Sequence, residues 1–178
     1  VKAQAGLLET DTAAHAEEKL AALVSAVVFD EVERDWIAGH VRPLIGLPGE
    51  CFSGLTEAFA AWRRLFEALA EQRPLVLVFE DLHWADEGLL DFVDHLVDWA
   101  SGVSLLVVCT ARPELLERRP SWGGGKLNAA TLTLSPLGPE DAARLVATLL
   151  EQPLLPAALQ QALLERAEGN PLYAEQYV

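Results

Sequence analysis

The hydrophobic pattern of the chain combines helical repeats with short apolar runs. Apolar residues recur every three or four positions over residues 53–72, which predicts an amphipathic helix. Residues 75–80 and 104–109 instead contain nearly continuous apolar runs of strand length, so we expect both strands to be buried on two faces. Residues 131–135 alternate and predict a third strand. Further helices are expected at 14–28, 30–42, 87–100, 139–151, 156–168 and 172–178.

The order of these elements indicates the fold class. A strand, a helix and a second strand at this spacing predict a crossover between parallel strands. We therefore expect an α/β fold with additional helices at both ends of the chain.

Composition and charge narrow the classes of function. The chain has 178 residues, of which 51% are hydrophobic and 22% charged, as in a globular domain. No apolar stretch has the length of a membrane span, and no signal peptide is visible. The net charge of −14 disfavours direct binding of nucleic acid. With only two cysteines the chain fits a reduced cytoplasmic setting, and we expect Cys109 to be a buried small hydrophobe.

Two neighbouring acids, Glu80 and Asp81, follow the first apolar run. Open α/β sheets bind ligands at the carboxyl ends of their strands, and hard cations such as Mg²⁺ prefer oxygen ligands. The pair therefore indicates a site for Mg²⁺ and phosphate. The alternative is a polar loop in which Asp86 caps the next helix.

Longer strings carry a resemblance to a known family. Their order is PLVLVFEDLHWAD, LLVVCTARPELLERRPSWGGGK, LSPLGPEDAARLV and LLERAEGNPLYAEQ, and together they cover roughly residues 74–178. The chain resembles the AAA-like, STAND-type signal-transduction ATPases found in LuxR-type transcription regulators and in adenylate cyclase-linked proteins. The resemblance implies a phosphate-loop NTPase core, ATP or ADP and Mg²⁺ as cofactors, and a helical lid.

Roles for individual residues follow from the resemblance. It assigns Glu80 to holding Mg²⁺ and Asp81 to orienting or deprotonating the attacking water, although the family more often has Asp at the first position. If the register differs by one, Asp81 holds the metal and Glu80 supports it. Thr110 and Arg112 take the place of a γ-phosphate sensor, the alternative being a surface Arg that caps a loop. Pro171 takes the place of a proline that packs against adenine, and it also suits a helix restart after Gly169.

Two nearby features receive no catalytic role. His83 either approaches the γ-phosphate or holds the loop in place, and Trp84 is expected to pack. The run from Gly123 to Lys126 fails the phosphate-loop pattern GxxxxGK followed by Ser or Thr, because Pro120 and Leu127 occupy the required positions.

No phosphate-loop motif, or Walker A, occurs in the 178 residues, so we expect the chain to be an excerpt of a longer polypeptide. The expected organisation is a helical region at 1–73, a core remnant at 74–137 that holds family strands 3, 4 and 5, and a partial lid at 138–178. In the family, strand 5 pairs with strand 1, which is missing here. An unpaired sheet edge would favour self-association.

Three functions remain open at this point. The first is part of an ATP-hydrolysing regulatory module, with no activity and no bound cofactor expected of these residues alone. The second is a nucleotide-dependent switch without hydrolysis, for which the Glu at position 80 leaves room. The third is a protein-interaction scaffold.

Overall fold

The computed structural model describes residues 5–8, 10–48, 54–149, 166 and 169–176, and most of these residues are helical. These residues form a mixed α/β structure that contains one parallel sheet of two strands. The helices are α1 (Ala13–Val27), α2 (Glu31–Val41), α3 (Leu55–Gln72), α4 (Glu87–Trp99), α5 (Glu114–Arg118), α6 (Pro139–Leu149) and α7 (Pro171–Gln176). The strands are β1 (Leu75–Phe79) and β2 (Leu105–Cys109).

Short polar side chains begin three of the helices. The Thr12 hydroxyl accepts a hydrogen bond from the backbone amide three residues later, in the first turn of α1. The carboxylates of Asp30 and Asp86 accept the equivalent bond at the starts of α2 and α4. Such a cap contributes about 1 kcal/mol, because it satisfies an amide that the helix leaves unpaired. The predicted helices over 14–28, 30–42 and 87–100 and the cap at Asp86 are thereby confirmed.

The long helix α3 joins two apolar clusters in residues 5–127. Leu65 and Ala68 pack with side chains from α1 and α2, whereas Phe59 and Phe66 pack with α4 and β1. Trp62 lies between the clusters and contacts both. Full burial of one large apolar side chain contributes about 1.5–3 kcal/mol, so the residues of α3 stabilise the sheet together with those of α4.

The two strands pair in parallel, with Leu75 opposite Leu105 and Phe79 opposite Cys109. One face of the sheet packs on the cluster formed with α3 and α4. The other face remains exposed, with Val76 and Val78 at 56% and 57% relative exposure. The expectation that both faces are buried was therefore wrong. Successive strand residues point to opposite faces, and within the described residues the second face is left largely uncovered.

Two further expectations about this region were wrong. Residues 131–135 form no strand, and Leu132 and Leu134 are 84% and 91% exposed. Alternation alone does not form a strand, because its amides and carbonyls also need a partner strand. Cys109 is exposed rather than buried, and it stands at the end of β2 opposite Phe79.

The chain divides into two compact units, residues 1–127 and 128–178. In the second unit α6 packs against α7, and the amide of Leu137 donates to the carbonyl of Gly169 over 2.8 Å. Gly169 has a φ of +75°, and a Cβ there would lie 2.6 Å from the carbonyl oxygen of Leu137. The helix predicted at 156–168 lies outside the described residues, apart from Arg166. Cys51 and Ser53 also lie outside them.

None of the helices in the described part of the chain combines the length and apolar character that crossing a bilayer requires.

Candidate functional site at the carboxyl edge of the sheet

Thr110 ties the ends of the two strands together. Its amide donates to the carbonyl of Phe79 over 2.9 Å, and its carbonyl accepts from the amide of Leu82 over 2.9 Å. Its hydroxyl oxygen lies 3.2 Å from the amide nitrogen of Asp81, which donates to it. The acid pair and the Thr-Arg segment, which the sequence separates by about thirty residues, are therefore neighbours at one edge of the sheet.

Asp81 stands in an uncommon backbone conformation. Its φ and ψ are 55° and 39°, and it is the one residue besides glycine with a positive φ in the described part of the chain. The Asp81 side chain is 74% exposed, and Glu80 is also exposed. Because the chain turns sharply here, both carboxylates face solvent instead of entering the core.

His83 lies beneath the acid pair and is 8% exposed. Its Nδ1 accepts a hydrogen bond from the amide of Arg112 over 3.4 Å and lies 3.9 Å from the carboxylate oxygen Oδ1 of Asp81. An accepting Nδ1 places the proton of a neutral ring on Nε2. Among the described residues, Nε2 is buried and has no hydrogen-bond partner. Of the two roles considered for His83, the geometry therefore shows the one that holds the loop.

Arg118 secures the other side of the same loop. Its guanidinium donates to the carbonyls of His83 and Ala85, each over 3.0 Å, and to the carboxylate of Glu87 over 2.6 Å. Sequence reasoning assigned no role to Arg118, because nothing in the motif indicates which carbonyls face it. The turn from Leu82 to Trp84 is thus held by the side chain of His83, which follows β1, and by that of Arg118, which follows β2.

A row of acids on α4 anchors the basic stretch that follows β2. Arg119 pairs with Glu87, Asp91 and Asp94, and Lys126 pairs with Asp94 and Asp98. Hydrogen bonds from Arg119 and from Arg118, together with the charges of the two guanidinium groups, hold the pKa of the Glu87 carboxyl below its usual range. The acids are spaced by four, three and four residues, which is the signal in the sequence that could have revealed the pairing.

Arg112 differs from these paired cations. Its backbone amide is bound by His83, but its guanidinium forms no ion pair or hydrogen bond with the residues that the structure describes. The residue is exposed at the same sheet edge as Thr110. A guanidinium group is planar and can bind two phosphate oxygens at once in a bidentate manner.

Pro171 belongs to the unit formed by residues 128–178, where it begins α7. Asn170 accepts a hydrogen bond from the amide of Leu172 over 3.0 Å, and Gly169 has a left-handed conformation. The predicted helix restart is therefore confirmed. Pro171 is exposed, and contact with adenine remains a prediction.

The donors at the edge suit Mg²⁺ bound together with a phosphate. Mg²⁺ keeps several waters and takes one or two carboxylates, while substrate phosphates complete its octahedral shell. Glu80 and Asp81 can supply those carboxylates from an exposed edge. The described residues hold no cluster of three or more His, Cys, Asp or Glu side chains suited to bind a metal by themselves.

An apolar cavity of about 220 Å³ lies on the packed side of the sheet, between Val41, Trp62, Phe66, Phe79 and Phe92. No charged side chain lines it, so it offers nothing that would recognise a phosphate.

No family model, no curated protein and no solved structure matches this chain.

Proposed function

We propose that this protein contributes the acidic and phosphate-sensing edge of an ATP site in a regulatory ATPase module of a multidomain signalling protein. The expected host is a transcription regulator or an adenylate cyclase-linked protein. The observation that carries the proposal is the bond from the Asp81 amide to the Thr110 hydroxyl over 3.2 Å. This contact brings the acids and the Thr-Arg segment to one edge.

The residues divide the work by their chemistry. Glu80 would hold Mg²⁺, and the bound cation would offset charge on the triphosphate. Asp81, with a solvent-facing carboxylate, orients the attacking water and accepts its proton. The Thr110 hydroxyl already accepts from Asp81, so its own proton is free to be donated to a phosphate oxygen. Arg112 supplies positive charge where the γ-phosphate separates from ADP.

The phosphate grip itself is absent from the 178 residues, because no GxxxxGK followed by Ser or Thr occurs in them. A net charge of −14 also opposes binding of a tetraanionic nucleotide without that grip. We therefore expect the 178-residue chain to show no ATP turnover, and to bind ATP more weakly than about 1 mM.

The test uses the product of the complete reading frame and measures ATP turnover together with thermal stabilisation by ADP. Asp81→Asn keeps the shape of the side chain but removes the base, so we expect kcat to fall by about a hundredfold or more. Asp98→Asn is the matched control, because Asp98 lies on α4 and pairs with Lys126 rather than with the strand ends. This control should leave kcat within about twofold.

The outcomes separate the three hypotheses. Turnover that depends on Asp81 supports the ATPase. Stabilisation by ADP without turnover supports the nucleotide switch, because a ligand that binds the folded state raises its stability by mass action. A complete protein that shows neither effect would be a scaffold, and the proposed nucleotide site would be wrong.

A further inference from the structure

The inference concerns His83 and rests on the proposed function. We infer that His83 is a positioning residue whose Nδ1 holds the backbone amide of Arg112 and thereby sets the Arg112 guanidinium relative to Asp81. His83 itself does not touch the nucleotide. It connects the loop that carries the acids to the loop that carries the sensor arginine.

The contacts of the imidazole support this role. Nδ1 accepts from the Arg112 amide over 3.4 Å, while the ring lies 5.1 Å from that of Trp84, centre to centre. The side chain is 5% exposed, so solvent cannot readily replace the bond. Asp81 lies two residues before His83, and its amide binds the hydroxyl of Thr110, which lies two residues before Arg112. The acid loop and the sensor loop are thus joined by the bonds of Thr110 to Asp81 and Leu82 and, further along, by the bond between Arg112 and His83.

Backbone anchoring matters here because the Arg112 guanidinium has no partner among the described residues. Nothing at the tip of the side chain fixes its direction, so its direction depends on where the Arg112 backbone is held. A misplacement of about 1 Å at a catalytic group can reduce a rate by about a hundredfold. Loss of the His83 bond should therefore reduce turnover more than it reduces affinity.

The unpaired Nε2 of His83 suggests how to separate this role from simple packing. Among the described residues only Nδ1 has a hydrogen-bond partner. Asparagine presents its oxygen near the Nδ1 position, whereas glutamine reaches toward the Nε2 position. His83→Asn should keep the bond to Arg112, whereas His83→Gln and His83→Ala should lose it.

The first experiment measures amide hydrogen exchange by NMR in the 178-residue chain. In His83→Gln and His83→Ala we expect the Arg112 amide to exchange about three- to tenfold faster, because one hydrogen bond is lost. His83→Asn should stay within about twofold of the original chain. The Leu82 amide, bound to the Thr110 carbonyl, is the internal control and should not change. The intrinsic exchange rate of Arg112 is unaffected, since the substituted residue lies 29 positions away.

Two results would overturn the inference at this stage. One is an equal Arg112 rate in all variants. The other is acceleration of Leu82 in parallel with Arg112, which would mean that the whole loop opens and that His83 only packs.

The second experiment measures ATP turnover by the product of the complete reading frame. We expect His83→Gln to lower kcat about tenfold with the KM for ATP within about twofold, and His83→Asn to restore kcat. Equal kcat values in the Gln and Asn variants would overturn the positioning role. If the unsubstituted protein shows no turnover, the proposed function fails and the ATP-related role of His83 fails with it. The amide measurement then still decides whether His83 holds Arg112.

Discussion

At the scale of single residues, Asp81 combines a chemical assignment with an uncommon backbone. The sequence identified the acid from the string around it, but not its left-handed conformation. Asp tolerates this region better than most residues, because its short polar side chain can bond locally. Residues held in such a conformation often mark functional sites, and Asp81 has it at the carboxyl edge of the sheet, where the candidate site lies.

Substitution of Asp81 should separate the backbone requirement from the charge. Asp81→Gly fits a φ of 55° without strain, and we expect the free energy of unfolding to stay within about 0.5 kcal/mol. Asp81→Val introduces a β-branched side chain that disfavours this region, so the free energy of unfolding should fall by about 1–2 kcal/mol. Urea unfolding of both variants measures the difference. Equal stability of the two variants would contradict the left-handed conformation.

The residue scale also shows where sequence reasoning ended. Glu80, Asp81, Thr110 and Arg112 were expected at one edge, and the hydrogen bonds of Thr110 bring these segments together. The part played by Arg118 was not foreseen. It depends on carbonyl groups, which every residue carries, and no residue type in the sequence marks them as acceptors.

At the scale of elements, the helices were predicted well because their signals are local. A capping side chain and an apolar repeat act within one or two turns, so the sequence contains the whole argument. Strands depend on distant partners instead. The segment at 131–135 has the alternation of a strand but no ladder, and the apolar run of β1 is covered on only one face.

The ion pairs between α4 and the basic stretch give a prediction at this scale. Arg119 contacts three carboxylates and is 20% exposed in its side chain, so Arg119→Ala should lower the free energy of unfolding by about 1 kcal/mol at low salt. The loss should shrink in about 0.5 M salt, because screening weakens the pairs. Urea titrations at two salt concentrations measure it.

The matched control for this prediction is Arg144→Ala. Arg144 is 80% exposed in its side chain and pairs with Asp141 within α6. Its removal should cost less than about 0.5 kcal/mol at either salt concentration. An Arg119 variant that behaves like the Arg144 variant would show that the network adds nothing to the fold.

At the scale of the whole molecule, the sheet presents one packed and one open apolar face. Val78 on the open face is 57% exposed, whereas Val107 packs against the cluster formed with α3 and α4. Val78→Thr should leave the free energy of unfolding within about 0.5 kcal/mol, and Val107→Thr should lower it by about 1–2 kcal/mol, because a hydroxyl enters the packed face.

The same pair of variants tests whether the open face takes part in the self-association that was expected through an unpaired sheet edge. If copies of the chain meet through this sheet, Val78→Thr should reduce the apparent mass in concentration-dependent sedimentation, because an exposed apolar surface favours association. A chain that stays monomeric at every concentration would contradict that expectation, whatever the effect of the substitution on stability.

Acid sensitivity is a second property of the whole molecule. Burial, and then the charge of Arg63, hold the pKa of His95 below its usual value of 6.5. The unfolded chain therefore takes up a proton near pH 6.5 that the folded chain takes up only at lower pH. The neutral, packed His95 therefore contributes fully to stability above about pH 6.5. This contribution is lost as the pH falls from there through the lower pKa of His95 in the folded chain. His95→Phe keeps an aromatic ring beside Trp99, and should give a smaller loss of unfolding free energy between pH 7.5 and 5.5 than the original chain shows. Equal losses would contradict this assignment.

The ring of Trp84 gives the protein a built-in optical reporter. It is 79% exposed and stands three positions after Asp81, beside the buried imidazole of His83. Indole emission responds to nearby charge and to the loss of surrounding water. A polyanion that settles on the neighbouring carboxylates with its cation would therefore change the emission of this one side chain against the background of the other four tryptophans, so that occupancy of the edge can be followed without attaching a dye.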